Sequence, residues 1–492
     1  MTQERYLKEI EAVIAAGPYH DNWPSLSHHK TPDWYYRAKL GIFIHWGIYS
    51  VPAFGNEWYS RNMYDPAHRE FAHHKETYGD HTQFGYKDFI PMFRGEQFDP
   101  ETWVELFREA GAGFILPVAE HHDGFAMYDT AFNRWNARNM GPKRDVMGEL
   151  KQEAERHGLK FCASTHRAEH YFFMNMGRTI PSDVSDPAYA DFYGPAVYKP
   201  EFGSGQMGDT TETPSAIGPD DAWLTDWMVR TCEFIDHYQP KVLYFDWWIQ
   251  NYAFKPYLKK IAAYYYNRAA QWGESVTINY KREAFPPGVG TFDVERGALT
   301  GISPVPWQTC TAIGKQSWGY CKDNQYKSSR QIVCDLIDIV SKNGILLLNI
   351  GPKSDGTFTE EETQVLKDLG KWLQTNGAGI YDTVPWKQFG EGSVNAASGF
   401  FTDGEEKNYT REDFRFTYRE GCVYAFQMRP DGQDVCIRSM AAHGRYDFGI
   451  EDVALLGDDR KPEFRRTEQG LIIHLPEGIQ ADLPLGFKIC LT

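Results

Sequence analysis

The sequence predicts an α/β protein: a (β/α)8-like (TIM) barrel over residues 1–380, followed by a smaller antiparallel β-sandwich over residues 381–492. Three observations carry this. Short runs that are apolar throughout alternate with amphipathic helical stretches. Polar side chains recur at the carboxyl ends of those runs. After about residue 380 the helical periodicity fades and short alternating segments replace it.

Eight runs read as strands: residues 40–46, 113–119, 159–164, 242–247, 275–280, 291–295, 307–313 and 344–350. The sixth and seventh are weak on propensity alone. Helical patterns over 102–110, 146–157, 223–237, 257–271, 330–342 and 361–375 separate or follow them. Strands apolar along their whole length are buried on both faces, which implies a parallel sheet covered by helices. Eight of them suggest a closed barrel, which takes about 250 residues before insertions. An open doubly wound sheet is the alternative, but its Gly-x-Gly-x-x-Gly turn is absent. In the tail, segments 414–418, 423–428 and 435–439 read as strands, with Arg419-Glu420-Gly421 and Pro430-Asp431-Gly432 as hairpin turns.

Composition narrows the function. A net charge of −16 opposes nucleic-acid binding, which needs clustered Lys and Arg. No apolar run approaches the roughly 20 residues that span a bilayer, so no membrane segment is expected. The N-terminus lacks a basic region followed by an apolar core, so no signal peptide is read and a cytoplasmic location is expected. The eight Cys show no Cys-x-x-Cys pair and read as free thiols in a reducing compartment. Aromatic residues make up 15% of the chain, and flat aromatic faces stack on sugars and bases alike, so a binding cleft is expected without its ligand being named. Nothing in the sequence indicates an oligomeric state.

The strand ends carry the chemistry. The first run ends in His45-Trp46-Gly47 and the second in Glu120-His121-His122-Asp123-Gly124. The third leads through His166 to Glu169-His170, the fourth ends at Asp246, the fifth at Asn279 and Lys281, and the sixth at Glu295. In a barrel these side chains converge on one mouth, where such enzymes place their active sites. Asp246 stands alone in Val-Leu-Tyr-Phe-Asp-Trp-Trp (242–248), and an unpaired buried carboxylate costs several kcal/mol. It is therefore paired, hydrogen-bonded or employed.

Three readings fit these residues. A metal-dependent barrel hydrolase could take ligands from His45, His121 and His122. Against it, the first strand lacks a His-x-His pair, and consecutive residues of an extended strand face opposite ways. A glycosidase needs two carboxyl groups: Asp246 is one candidate, and Glu295 or Glu283 the other. Trp46, Trp58 and Trp247 would wall its sugar. A non-catalytic sugar-binding module is the third.

Several motifs are similar to those of the α-L-fucosidases of glycoside hydrolase family 29, over roughly residues 30–390. They are Trp34-Tyr35-x-x-Ala38-Lys39-Leu40-Gly41-Ile42-Phe43-Ile44-His45-Trp46-Gly47, Asn56-Glu57-Trp58-Tyr59 and Glu120-His121-His122-Asp123-Gly124-Phe125. Leu243-Tyr244-Phe245-Asp246, Ser317-Trp318-Gly319-Tyr320 and Leu346-Leu347-Leu348-Asn349-Ile350-Gly351-Pro352 follow in the family's order. The resemblance implies a barrel followed by a β-sandwich, and retaining exo-hydrolysis of terminal α-L-fucose from fucosylated glycans. It implies a covalent fucosyl-Asp intermediate, no cofactor and no metal. It puts the nucleophile on Asp246, sugar-binding histidines on His45, His121 and His122, and a hydroxyl-binding carboxylate with its adjacent Trp on Glu57 and Trp58. The segment of His166, Glu169 and His170 departs from the pattern, and His170 joins the substrate-binding candidates. Lys281 stands where some members have Arg. Glu295 lies in the acid/base segment, while Gln308 stands where animal-type members have a carboxylate, and an amide cannot donate that proton. The acceptor linkage stays open, because barrel loops set it.

Overall fold

A computed structural model describes residues 2–198, 218–446, 448–479 and 482–492. Nine strand segments form one parallel sheet: β1 Leu40–Ile44, β2 Phe114–Glu120, β3 Lys160–Phe161, β4 Ala163–Thr165, β5 Val242–Phe245, β6 Thr277–Tyr280, β7 Thr291–Glu295, β8 Trp307–Ala312 and β9 Gly344–Ile350. β3 and β4 are two parts of one strand interrupted at Cys162, so the barrel has eight staves. It closes because β1 pairs with both β9 and β2. The weak sixth and seventh runs are strands held by parallel pairing on both sides.

Burial on both faces splits each strand by parity. Phe43, Leu116, Val118, Cys162, Val242, Tyr244, Cys310, Ile345 and Leu347 form one cluster inside the barrel. Their neighbours Ile42, Ile115, Leu346 and Leu348 pack outward with the helices, as do Leu243 and Phe245. Successive side chains of a strand point to opposite faces, so an all-apolar run serves two cores at once.

The six expected helices are present, and five of them start at a capping side chain. Asp99 caps Pro100–Glu109, Asp145 caps Val146–Arg156, Asp220 caps Asp221–Tyr238, Ser328 caps Ser329–Ser341 and Thr359 caps Glu360–Asn376. Lys255–Trp272 is the sixth. The connections β6–β7 and β7–β8 contain no α-helix. An unexpected N-terminal helix, Gln3–Ala16, packs its Ile10 and Ile14 into the same core as Trp227 and Ile261.

Antiparallel strands begin at β10, Val384–Glu391. One sheet joins it to β11 Phe414–Arg419, β12 Cys422–Gln427, β17 Leu485–Leu491 and β14 Ile450–Leu455. A second joins β13 Val435–Ile437, β16 Leu471–His474 and β15 Glu463–Arg466. Phe416, Val423 and Phe487 from the first meet Val435, Leu471 and Ile473 from the second in one core, which makes a sandwich. Glu420 and Gly421 both have positive φ in the two-residue β11–β12 hairpin, as a type I′ turn requires. The turn at Pro430-Asp431-Gly432 closes no hairpin. It passes the chain from the first sheet to the second, because β12 pairs with β17 and β13 with β16.

The thiol expectation is corrected at one pair. Cys422 and Cys490 are direct partners of β12 and β17 and form a disulfide, while the other six cysteines are free. Only the strand register brings these two together, and the sequence does not display it.

Barrel and sandwich share a buried ion cluster. Arg415 of β11, 1% exposed, donates to Asp338 Oδ1 (2.5 Å), and Lys342 Nζ reaches Asp338 Oδ2 (2.7 Å). Burial alone would raise the Asp338 carboxyl; Arg415 and Lys342 instead hold it well below the carboxylate range. Among the described residues, no helix is long and apolar enough to cross a membrane.

Candidate active site

A cavity of about 320 Å³ opens at the carboxyl ends of the barrel strands. Strand parity aims its side chains. Phe43 faces the barrel interior, so His45 does too, two residues on. By the same step Tyr244 leads to Asp246, Asn279 to Lys281, and Asp293 to Glu295. His45, Glu57, Trp58, His121, His122, Asp246, Lys281 and Glu295 all line this cavity.

Lys281 is its electrostatic centre. Its Nζ lies 2.5 Å from Asp246 Oδ1 and 2.5 Å from Glu295 Oε2. Trp247 Nε1 also donates to Glu295 Oε2, and His166 Nδ1 lies 2.9 Å from Asp246 Oδ2. Burial would raise the Asp246 carboxyl, but the Lys281 ammonium first, and then His166, hold it well below the usual range. Burial would lower the Lys281 ammonium, but the two carboxylates raise it well above its ordinary value. Asp246 is thus a buried anion kept ionised by its neighbours.

His45 and His122 are neutral acceptors. His45 Nδ1 donates to Asn349 Oδ1 (2.6 Å), and Asn349 Nδ2 donates to the Trp318 carbonyl (2.7 Å), which fixes the amide's orientation. The lone pair of His45 is therefore on Nε2. His122 Nδ1 donates to the His166 carbonyl (2.9 Å), which leaves Nε2 an acceptor 3.4 Å from Asp246 Oδ2. Burial, then adjacent imidazoles, keeps His45 and His121 well below the usual imidazole range. Burial pushes His122 down to about 3. A ligand hydroxyl can donate to each of these lone pairs. Glu57 Oε2 accepts from Ser317 Oγ and Trp318 N, both at 2.9 Å, and burial raises its carboxyl.

Several expectations are corrected. His170 does not line the cavity: it is buried, with Nδ1 on the His122 carbonyl (2.8 Å), behind the cavity-lining histidines. Trp46 is core rather than wall, packed on Phe93, Phe98 and Trp103 with Nε1 on the Lys353 carbonyl (2.7 Å). His121 and His122 do not point apart. The β2–β4 register shifts between Val118 and Glu120, which sends Glu120 out to Arg167 and Arg230 and brings both rings to the cavity, centroids 4.3 Å apart. Asn279 donates to Tyr35 OH (2.7 Å) and Gln308 to Asp293 Oδ1 (2.6 Å), both below the cavity. Glu283 is exposed and also outside it.

Sequence reasoning missed Trp248, Arg282, Trp318 and Phe401, which all line the cavity. Trp248, Arg282, Arg296 and Phe401 share a signal that appears only in the backbone, with φ of 80°, 47°, 46° and 58°. Left-handed geometry costs a side-chain-bearing residue about 1–2 kcal/mol, and such strain gathers at functional sites. Here it follows the strand ends that carry Asp246, Lys281 and Glu295.

By distance, two groups here could also hold a cation. The donor atoms of His45, His121 and His166 lie within 4.8 Å of one another, as do those of His122, His166 and Asp246.

The family described as "Alpha-L-fucosidase" matches residues 6–378. Plasma alpha-L-fucosidase of Homo sapiens is 27% identical over 500 residues, covering 97% of this chain and 93% of that protein. Tissue alpha-L-fucosidase of Rattus norvegicus is 29% identical over 389 residues, 76% of this chain and 75% of that one. The crystal structure of Thermotoga maritima alpha-fucosidase in complex with fucose has a TM-score of 0.74 at 26% identity, covering 96% of this chain and 100% of that chain. With a family match that runs through all eight staves of the barrel, the chain belongs to the α-L-fucosidases of glycoside hydrolase family 29.

Proposed function

We propose that the protein releases terminal α-L-fucose from fucosylated glycans with retention at the anomeric carbon. One observation supports retention above the others. Asp246 and Glu295 each hold an oxygen 2.5 Å from the same Lys281 Nζ, so those oxygens are no more than about 5 Å apart. That spacing suits direct attack by one carboxylate, whereas inverting enzymes separate the pair by about 6.5–9.5 Å to admit a water.

In this reading Asp246, held ionised, attacks the anomeric carbon as Glu295 protonates the departing oxygen. The bond from fucose to its acceptor breaks and an ester to Asp246 Oδ forms. Glu295, now a carboxylate, takes a proton from water, which attacks the same carbon and frees Asp246. His45 and His122 accept sugar hydroxyls through Nε2, and Glu57 accepts another. Trp58, Trp247 and Trp318 supply apolar walls. A cavity closed below by the barrel core suits a single terminal sugar, which makes the action exo.

Proton NMR of an aryl α-L-fucoside digest tests this: α-L-fucose is expected first, with the β-anomer appearing only by mutarotation. β-L-fucose first would overturn retention. An aryl α-L-rhamnoside in parallel tests the sugar. Binding of fucose without turnover would move the reading to a non-catalytic module. The histidine and aspartate donors within 4.8 Å of one another favour a second, metal-dependent reading, which loss of activity in EDTA and recovery with added zinc would support.

A further inference from the structure

Phe401 is 59% exposed, has φ of 58°, and still lines the cavity. A bulky aromatic in left-handed backbone with most of its surface in water is doubly unfavourable. The chain nevertheless fixes it there. Phe401 N donates to the Glu295 carbonyl (3.0 Å), Ala298 and Gly399 form a bridge, and Asp403 N donates to the Arg296 carbonyl (3.1 Å). Residues 399–403 lie between β10 and β11, so the antiparallel part of the chain delivers this ring to the barrel mouth.

The ring lies nearly parallel to Trp247, centroids 6.1 Å apart at 15°. Arg282 lies 5.2 Å from the Trp247 ring and 5.7 Å from the Phe400 ring. Trp247 Nε1 donates to Glu295 Oε2, so its ring stands beside the carboxyl read as the proton donor. An acceptor leaving past Glu295 therefore passes between Trp247, Phe401 and Arg282.

We propose that Phe401, with Trp247 and Arg282, forms the subsite for the sugar to which fucose is attached, and that it sets a preference for saccharide acceptors over small aglycones. The apolar C–H face of a pyranose covers the exposed ring, and the Arg282 donors take the acceptor's hydroxyls. The inference rests on the fucosidase reading and on Glu295 as proton donor.

The test compares a fucosylated lactose trisaccharide with methyl α-L-fucoside. Both leaving groups are alkyl alcohols that need the proton from Glu295 to depart, but only the first brings a ring to stack. In Phe401→Ala the ratio of their kcat/KM values is expected to fall roughly tenfold, the scale of one lost stacking contact, and Phe401→Trp should restore it. Arg282→Ala should lower the same ratio. An unchanged ratio in Phe401→Ala would overturn the inference, including the case where both substrates slow together because the segment only props Glu295. If the wild-type protein cleaves neither substrate, the fucosidase reading has failed instead.

Discussion

Asp246→Ala is expected to lower kcat by roughly 10⁴-fold or more, because the atom that forms the new bond is gone. The fold should survive, since Lys281 keeps its partner Glu295 and the lost bond to His166 costs about 1–3 kcal/mol. Circular dichroism and the melting temperature check that point. The diagnostic result comes with azide. A small anion can enter the space that the carboxylate leaves, attack from the same side, and give β-L-fucosyl azide, the inverted product. Turnover unaffected by the substitution would remove Asp246 from the mechanism.

Glu295→Ala should slow natural fucosides by roughly 10²–10⁴-fold, the usual range for a lost general acid. Aryl fucosides with acidic phenols should suffer far less at bond cleavage, because they leave without a proton. They would then stall at hydrolysis of the ester, which needs the base. Azide needs no base, so it should restore turnover and give α-L-fucosyl azide, the opposite anomer to that from Asp246→Ala. Two substitutions within one cavity thus yield mirror outcomes with one reagent. Glu283→Ala is the control: Glu283 is exposed and lies outside the cavity, and its substitution should show no rescue. If azide rescues Glu283→Ala and not Glu295→Ala, the proton donor is Glu283.

The barrel was legible because strand burial leaves a mark that pairing cannot change. Runs such as Leu243-Tyr244-Phe245 are apolar on both parities, and only a sheet covered on both sides asks for that. Asp246 was legible for the same reason, as a charge at the next interior position. His121 and His122 show where the reasoning stops. Parity holds only while pairing is regular, and the shift after Val118 resets it. Trp46 and Trp318 are both flanked by motif residues, yet one packs in the core and the other walls the cavity. Phe401 was beyond reach, because no local pattern says that a loop between two sandwich strands will return to a barrel mouth. The Cys422–Cys490 pair depended in the same way on register.

The buried cluster of Asp338, Lys342 and Arg415 bears on how the molecule comes apart on heating. A change in secondary structure near residue 380 suggests two units that could melt in turn. Yet Asp338 sits on a barrel helix and Arg415 on a sandwich strand, and Tyr424 and Phe426 of β12 belong to the same apolar core as the barrel's helices. Melting the sandwich first would cost Asp338 its pairing with the Arg415 guanidinium. It would also expose that core. The two architectures are therefore expected to unfold in one calorimetric transition, with van't Hoff and calorimetric enthalpies in agreement. A chain shortened to the barrel alone should not persist as a folded protein.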